Sequence, residues 1–464
     1  MSLQSIILII CAAALLSVQS QITSLCGPPV NEFDQICRCQ NETTSLSGLR
    51  IDCTSKGINS SSFDAEILPL FAGELDMSWN NFDEIPDFAS INLRILRFAH
   101  NIIKSTDEKN FINVQYLREL DLSWNNMEFL SFNSFSKLAY LEKLDLSGNN
   151  LKKIPMNLFS PLVSLEMLDL SWNRQLNKST DVQELDFFST YGITPKLKVL
   201  KLSHCNLNEI HVSDATRLEK LYVSWNNLTK LSSVPGNLKF IDLSGNPIIE
   251  VNSTLMPTLF RLEILLLEDM PKLKTVQSYS FFGLPSLKVL SLQNSRLLTS
   301  LHAYSFGDDT KKTYTESSLK TFSLRGTSLK RLNSTLLPAL KNVNQFDLTG
   351  TPLICDCHLQ WVKHLGLDTG GQCNDPVIVR GMKLEQLAES QFECNNTPSW
   401  VSQLFNGLLI LLLLVLCSAG IWLLVLGLRP SHKKVSSHTV GSTSPYARIT
   451  TQSTFYYFVL FSCY

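Results

Sequence analysis

Neither sign of charge prevails in this chain: 40 Lys and Arg stand against 41 Asp and Glu over 464 residues, a net charge of −1. That balance removes long-range electrostatic attraction as a reason to expect a nucleic-acid partner. Catalytic signatures are equally scarce. There is no G-x-S-x-G, H-E-x-x-H or P-loop, and no pair of catalytic carboxylates on a scaffold suited to it. Neither enzymatic activity nor a cofactor is expected. His100 and His204 recur at equivalent points of a repeated segment, yet neither has a Cys or carboxylate at ligand spacing, so no metal site is expected there. Charge is also missing from all 25 residues between Leu404 and Leu428, enough to cross a hydrocarbon core of ~30 Å with some tilt.

A second apolar run, SIILIICAAALLSVQS, opens the chain and ends in small residues. It reads as a signal peptide cleaved after Ser20, with an uncleaved anchor as the alternative because Lys and Arg are lacking before it. Arg429, Lys433 and Lys434 follow the long span, and Glu385, Glu389 and Glu393 precede it. The positive-inside bias therefore predicts a single-pass type I protein of the plasma membrane with its N-terminus extracellular. A glycolipid-anchor signal is the alternative reading of the same span.

What is abundant is one phrase: LDMSWNN from Leu75, LDLSWNN from Leu120, LDLSGNN from Leu144, LDLSWNR from Leu168, LYVSWNN from Leu221 and IDLSGNP from Ile241. On the frame L-x-x-L-x-L-x-x-N-x-L, first positions fall at Ala72, Leu93, Leu117, Leu141, Leu165, Leu197, Leu218, Leu238, Leu262, Leu287, Leu319 and Val343. These are twelve repeats of the leucine-rich type. Two are lengthened by insertions at 174–196 and 307–318, read as loops on the outer side. In x-L-x-L-x the leucines point one way and the x positions the other, so each repeat supplies a short strand whose inward face only its neighbours can dry.

The ninth position carries Asn80, Asn101, Asn125, Asn149 and Asn173, then Cys205, then Asn226 and Asn246, and lapses to Met270, Ser295, Thr327 and Thr351. An amide there can pair backbone groups of adjacent turns, and Met cannot. A local irregularity near Met270 is expected. The eighth position alternates rings with smaller groups: Trp79, His100, Trp124, Gly148, Trp172, His204, Trp225 and Gly245. Side-by-side packing along the stack explains this, and a ligand-binding aromatic ladder is the alternative.

Eight of the twelve cysteines bracket the array: Cys26, Cys37, Cys39 and Cys53 before it, Cys355, Cys357, Cys373 and Cys394 after it. Solenoid ends expose apolar cross-sections, and disulfides in an oxidising compartment stabilise the loops that cover them. Each quartet allows three pairings, and a four-cysteine zinc site is the competing reading. Cys205 is read as a buried thiol. An intermolecular disulfide through it, and hence a homodimer, is the alternative.

With these caps and repeats, TPLICDCHLQWV included, the chain resembles the extracellular leucine-rich-repeat single-pass transmembrane receptors, whose Toll-type and trophoblast-glycoprotein-like members share this layout. The resemblance implies an α/β leucine-rich-repeat solenoid, a curved horseshoe with a parallel concave sheet. It also implies bonds Cys26–Cys39, Cys37–Cys53, Cys355–Cys373 and Cys357–Cys394. The expected organisation is a signal peptide (1–20), an N-terminal cysteine cap (21–71), about twelve repeats (72–354) and a C-terminal cysteine cap (355–394). A short stalk (395–403), a transmembrane helix (404–428) and a cytoplasmic tail (429–464) follow. A Toll-type signalling domain does not fit in that tail.

The function expected is cell-surface recognition or adhesion, with an extracellular protein ligand or co-receptor as partner. An innate-immune co-receptor or decoy, and a structural matrix-organising protein, are the alternatives. Seven N-x-S/T sequons, at Asn41, Asn59, Asn177, Asn227, Asn252, Asn333 and Asn395, avoid the exposed strand positions and leave the concave sheet free of sugar. On that sheet Lys201, Lys220, Tyr222 and Phe240 stand where Asp, Ser or Glu is commoner, with Tyr222 and Phe240 expected side by side, a composition typical of binding hot spots. In the tail, Tyr446 and Ile449 have the spacing of a tyrosine-based sorting motif, with a phosphotyrosine inhibitory motif or a plain tail as alternatives. The apolar end STFYYFVLFSCY is read as an inner-leaflet segment or an alternative exon end.

Overall fold

The computed structural model describes residues 37–41, 48–176, 187–231, 233–308, 317–392, 394 and 399–427. Cys26, Asn177, Asn395, Tyr446, Ile449 and the insertion segments 177–186 and 309–316 lie outside these residues. Two units are present, one through Cys394 and one from Asn395 onward.

In the first unit the alternation x-L-x-L-x becomes a 14-stranded sheet. Its outer edge is the hairpin of Arg38–Asn41 and Leu49–Asp52, paired antiparallel. Every later pairing is parallel, through Ala72–Asp76, Ile95–Arg97, Glu119–Asp121, Lys143–Asp145, Met167–Asp169 and Val199–Lys201. The series continues with Lys220–Tyr222, Phe240–Asp242, Ile264–Leu266, Val289–Ser291, Thr321–Ser323 and Gln345–Asp347. Each repeat contributes one strand, and the cap strand Leu49–Asp52 begins the parallel series, so the cap is built into the sheet. Inward leucines such as Leu96, Leu120, Leu144 and Leu168 are fully buried. Behind them Phe111, Phe135 and Phe159 pack ring against ring at 6.2 and 6.3 Å.

The ninth-position asparagines hold consecutive turns together. Asn125 Nδ2 donates to Leu122 O of its own turn (3.1 Å) and to Phe98 O of the preceding turn (2.9 Å), while its Oδ1 accepts from Ile103 N (2.9 Å). One buried amide thus satisfies three backbone groups that water cannot reach. Where Asn is replaced, the pairing is thinner. Cys205 Sγ donates to Leu170 O at 3.2 Å, and Thr327 and Thr351 both donate to Leu324 O.

The irregularity expected at Met270 is not found. Ile264–Leu266 keeps parallel register with both neighbours, and the backbone bonds Leu267 N to Ser291 O and Asp269 N to Gln293 O continue the ladder. Two compensations explain this. Ser295 Oγ reaches back to donate to Leu267 O (3.2 Å) and to accept from Met270 N (3.3 Å). In addition, a second parallel sheet of Glu250–Val251, Thr275–Val276 and Ser300–Leu301 ties the returning segments of these same repeats. Backbone pairing there does what the side-chain amide does earlier.

Disulfides hold both ends: Cys37–Cys53, Cys355–Cys373 and Cys357–Cys394, with Cα separations of 4.4, 5.5 and 5.2 Å. Cys39 is also disulfide-bonded. In the C-terminal cap, Leu353–Ile354 pairs with Cys373–Asp375, and the buried Trp361 donates Nε1 to Leu332 O at 3.3 Å. The second unit contains the helix Ser399–Gly427, in which Leu404–Leu423 has a mean hydropathy of 2.5 and is long and apolar enough to cross a membrane.

Candidate binding face

The outward positions of the parallel strands form two columns, and register decides what meets in them. In the early repeats the columns are mostly charged, with Ile95, Met167 and Val199 as half-buried apolar members. Arg97 lies between Glu74 and Glu119, 2.7 Å from the latter, and Lys143 reaches Glu119 at 3.4 Å. The carboxylates lift the Arg97 pKa further above its usual value although burial opposes this. Asp121, Asp145 and Asp169 then stand in direct lateral register. Burial first, and the Asp169 charge second, push Asp145 up to about 6. Lys201 ends this acidic row with a 3.0 Å ion pair to Asp169.

Beyond Lys201 the character changes. Its ammonium lies 5.9 Å from the Tyr222 ring centroid, and the Tyr222 and Phe240 rings are 4.5 Å apart at 34°. Expected side by side, the two rings do lie on adjacent strands and touch, but not as directly registered partners. Phe240 faces Lys220 and Tyr222 faces Asp242, so the rings meet on the diagonal between strands. Lys220 is exposed and has no ion pair among the described residues.

The patch continues through residues that sequence reasoning missed. Ile264 lies beside Phe240, Leu266 beside Asp242 and Val289 beside Ile264, all half-buried on the outward face. In the run EILLLED every strand position is apolar, so period-two alternation is silent about which residues face outward. Only the in-register neighbours resolve it. The signal available was the run itself, since an x position in the other strands is usually polar.

Asn59, Asn227, Asn252 and Asn333 lie outside the named strands, whereas Asn41 ends the outermost cap strand and so does belong to the sheet. Cys205 is a fully buried free thiol, pushed up to about 12 mainly by that burial. Cys357, His358 and Cys394 come together, but the two sulfurs are bonded to each other and offer no thiolate.

At the strand-to-turn edge all eight eighth-position residues have left-handed backbone, with φ between 54° at His100 and 71° at Gly245. Their rings stack: Trp79 on His100 at 3.7 Å, His100 on Trp124 at 5.5 Å, Trp172 on His204 at 3.7 Å and His204 on Trp225 at 5.7 Å. Glycine occurs where a ring leans over. A Cβ on Gly148 would lie 2.6 Å from the Trp124 indole, and one on Gly245 2.6 Å from that of Trp225. Burial and then the Arg174 charge lower the His204 pKa.

A parallel one-strand-per-turn solenoid, laddered by asparagine and closed by disulfide-bonded caps, defines the class of protein. Comparison agrees: a family model described as leucine rich repeat matches residues 91–151 and 133–174. Tsukushi of Gallus gallus is 31% identical over 325 residues, covering 66% of this chain and 76% of that protein. Tsukushi of Rattus norvegicus is 30% identical, covering 66% and 81%. Toll-like receptor 2 type-2 of Gallus gallus is 24% identical over 51% of this chain and 30% of its own length. Among solved structures, the Drosophila Toll–Spatzle complex matches with a TM-score of 0.50 at 17% identity, covering 72% of this chain and 56% of that one, a likeness of fold. The chain belongs to the leucine-rich-repeat family, with Tsukushi among its relatives.

Proposed function

We propose that this chain is a cell-surface recognition protein that binds an extracellular protein ligand through its concave sheet. The observation that carries this reading is the contiguous run of aromatic and aliphatic outward residues after Lys201. Tyr222, Phe240, Ile264, Leu266 and Val289 form one contiguous, half-buried aromatic and aliphatic patch on the outward face, rimmed by Lys201 and Lys220. Aromatics and aliphatics that are partly open inside a charged rim are how protein interfaces concentrate binding energy. A wide sheet of 14 strands suits a protein surface better than a small molecule.

In this reading residues 1–20 direct export, 404–428 span the plasma membrane with the N-terminus outside, and the exposed sequons carry sugar. Tyr446 and Ile449 would then be cytoplasmic and available to sorting machinery. The test uses the full chain on intact cells. An N-terminal epitope should be accessible without permeabilisation, and glycosidase should shift the mobility. Probed against purified extracellular proteins, the wild-type chain should retain a discrete partner that Tyr222→Ala plus Phe240→Ala loses at equal surface level. Undiminished binding by that double variant would move the site off this patch.

A further inference from the structure

The most exposed large apolar side chain among the described residues lies in the C-terminal cap. Ile378 is 87% open and Val377 beside it 72%, whereas Phe405, the most open side chain of the apolar helix, reaches 73%. Both stand on the short helix Val377–Val379, at the tip of a loop closed at its base by Cys373 N donating to Met382 O (3.0 Å) and Gly381 N to Cys373 O (2.8 Å). Val379, next along that helix, is buried and packs into the cap core. The tip is thus held in shape while two aliphatic side chains stay uncovered. Asp375 is the only carboxylate between Cys373 and Lys383, and Arg380 pairs with it at 3.2 Å. Lys383 is exposed and has no ion pair among the described residues, which leaves the loop a surplus cation. Scattered exposed aliphatics are ordinary on a protein surface, so these two gain meaning only from where the chain goes next.

Connectivity supplies that meaning. Cys355 N donates to Asp375 O at 2.8 Å, and Cys357, two residues on, is bonded to Cys394 with Cα atoms 5.2 Å apart. The loop and the last cysteine are therefore near neighbours within the cap. From Cys394 only residues 395–398 precede the helix Ser399–Gly427. Fully extended, that stretch of chain reaches at most ~18 Å, and the helix from Ser399 to Leu404 adds ~8 Å. The cap is leashed within ~26 Å of the start of the apolar stretch Leu404–Leu423, and the polar layer of a bilayer fills ~5 to 8 Å of that distance. We propose that Val377 and Ile378 dip into the outer layer of the bilayer that this helix enters, as a second contact with lipid. The inference rests on the reading above that 404–428 spans the membrane. Two aliphatic side chains hold a free protein to lipid only weakly, but the leash makes the contact intramolecular and raises its effective concentration. Arg380 and Lys383 can keep their charged ends among the headgroups, and Asp375, already paired, brings no free carboxylate to them. A protein is the other occupant such a tip could take, yet lipid is the surface that the chain's own connectivity brings within reach.

Nitroxide labels read this contact in the full chain, one copy per phosphatidylcholine nanodisc, with Cys417 and Cys463 replaced by serine and Cys205 left buried. A label on Ile378→Cys should be relaxed mainly by oxygen, which concentrates in lipid. One on Lys341→Cys, exposed in the last repeat, should be relaxed mainly by a water-soluble nickel chelate. Moving the label to Val377→Cys and adding Ile378→Asp should shift the preference several-fold toward the chelate, because a carboxylate resists entry into the apolar layer. Since both side chains are exposed, neither change disturbs the cap core. A separate chain that keeps Cys417, exposed on the apolar helix, reports the span itself. Oxygen preference at Cys417 with chelate preference at Ile378→Cys would overturn the loop contact alone and leave a protein as the occupant of the tip. Chelate preference at both would overturn the spanning reading and this inference with it. Equal preference at Ile378→Cys and Lys341→Cys would also overturn it, since the tip would then be no closer to lipid than the last repeat.

Discussion

The first eight repeats and the last four solve the same problem differently. From Ala72 to Pro247 turns are joined by buried asparagine amides, apart from Cys205, and rings stack along the turn edge. From Leu262 onward hydroxyls stand at most of the asparagine positions and a second small sheet shares the pairing, beginning at Glu250–Val251. The requirement common to both is that backbone polar groups inside a dry stack find partners. Many side chains can meet it, provided the backbone is placed to help. The outward columns differ too, mostly charged before Lys201 and holding a contiguous aromatic and aliphatic patch from Tyr222 to Val289 after it.

The comparison is broken most sharply at the ladder. Asn125→Ala orphans Phe98 O, Leu122 O and Ile103 N in a dry environment and should cost about 3 to 5 kcal/mol. Ser295→Ala removes a single hydroxyl beside a sheet-supported turn and should cost about 1 kcal/mol. Denaturant midpoints of the two variants check this, and equal costs would erase the distinction between the regions.

Next in size is the turn edge. Gly148→Ala places a Cβ 2.6 Å from Trp124 on a left-handed residue, whereas at Gly350 the nearest atoms outside its neighbours are 3.8 Å away. The first should cost about 2 to 3 kcal/mol and the second about 1 kcal/mol, the backbone cost alone. Thermal unfolding of the pair separates ring crowding from conformation.

Smaller effects belong to charge and to the odd thiol. Asp145 has its folded pKa raised to about 6 from an unfolded value of 3.8, so it favours the folded state fully only below 3.8 and loses that contribution as pH rises through about 6. Asp145→Asn should therefore stabilise the chain at pH 7 by about 1 kcal/mol and flatten stability between pH 4 and 6. Stability measured across that range checks the sign. Cys205 should resist alkylation in the folded state over hours and react quickly only in denaturant, as burial and its raised pKa require. Mass spectrometry of the labelled chain reads it.

Much of this was legible beforehand because a repeat reports its structure many times. The frame that begins at Ala72 and ends at Val343 placed each repeat strand, and Asn125 or Trp124 could be assigned a place from spelling alone. The reading failed at Met270, where a side chain was judged by itself while Ser295, 25 residues on, and a separate sheet supplied the missing bonds. It was incomplete at Ile264, Leu266 and Val289, whose outward direction an apolar run conceals. Tyr222 and Phe240 were visible as deviations from LDLS, although their diagonal contact was not.

The sequence by itself determined the solenoid, its parallel strands, the placement of cysteines at both ends and a helix apolar enough for a membrane, since periodicity, spacing and hydropathy are local properties that each turn repeats. Only the tertiary structure decided which of several apolar residues face solvent, which carboxylate is lifted by its neighbours, and how turns lacking asparagine stay joined. Those outcomes depend on lateral register between residues 20 to 30 positions apart, and a one-residue change of register would exchange every inward side chain for an outward one.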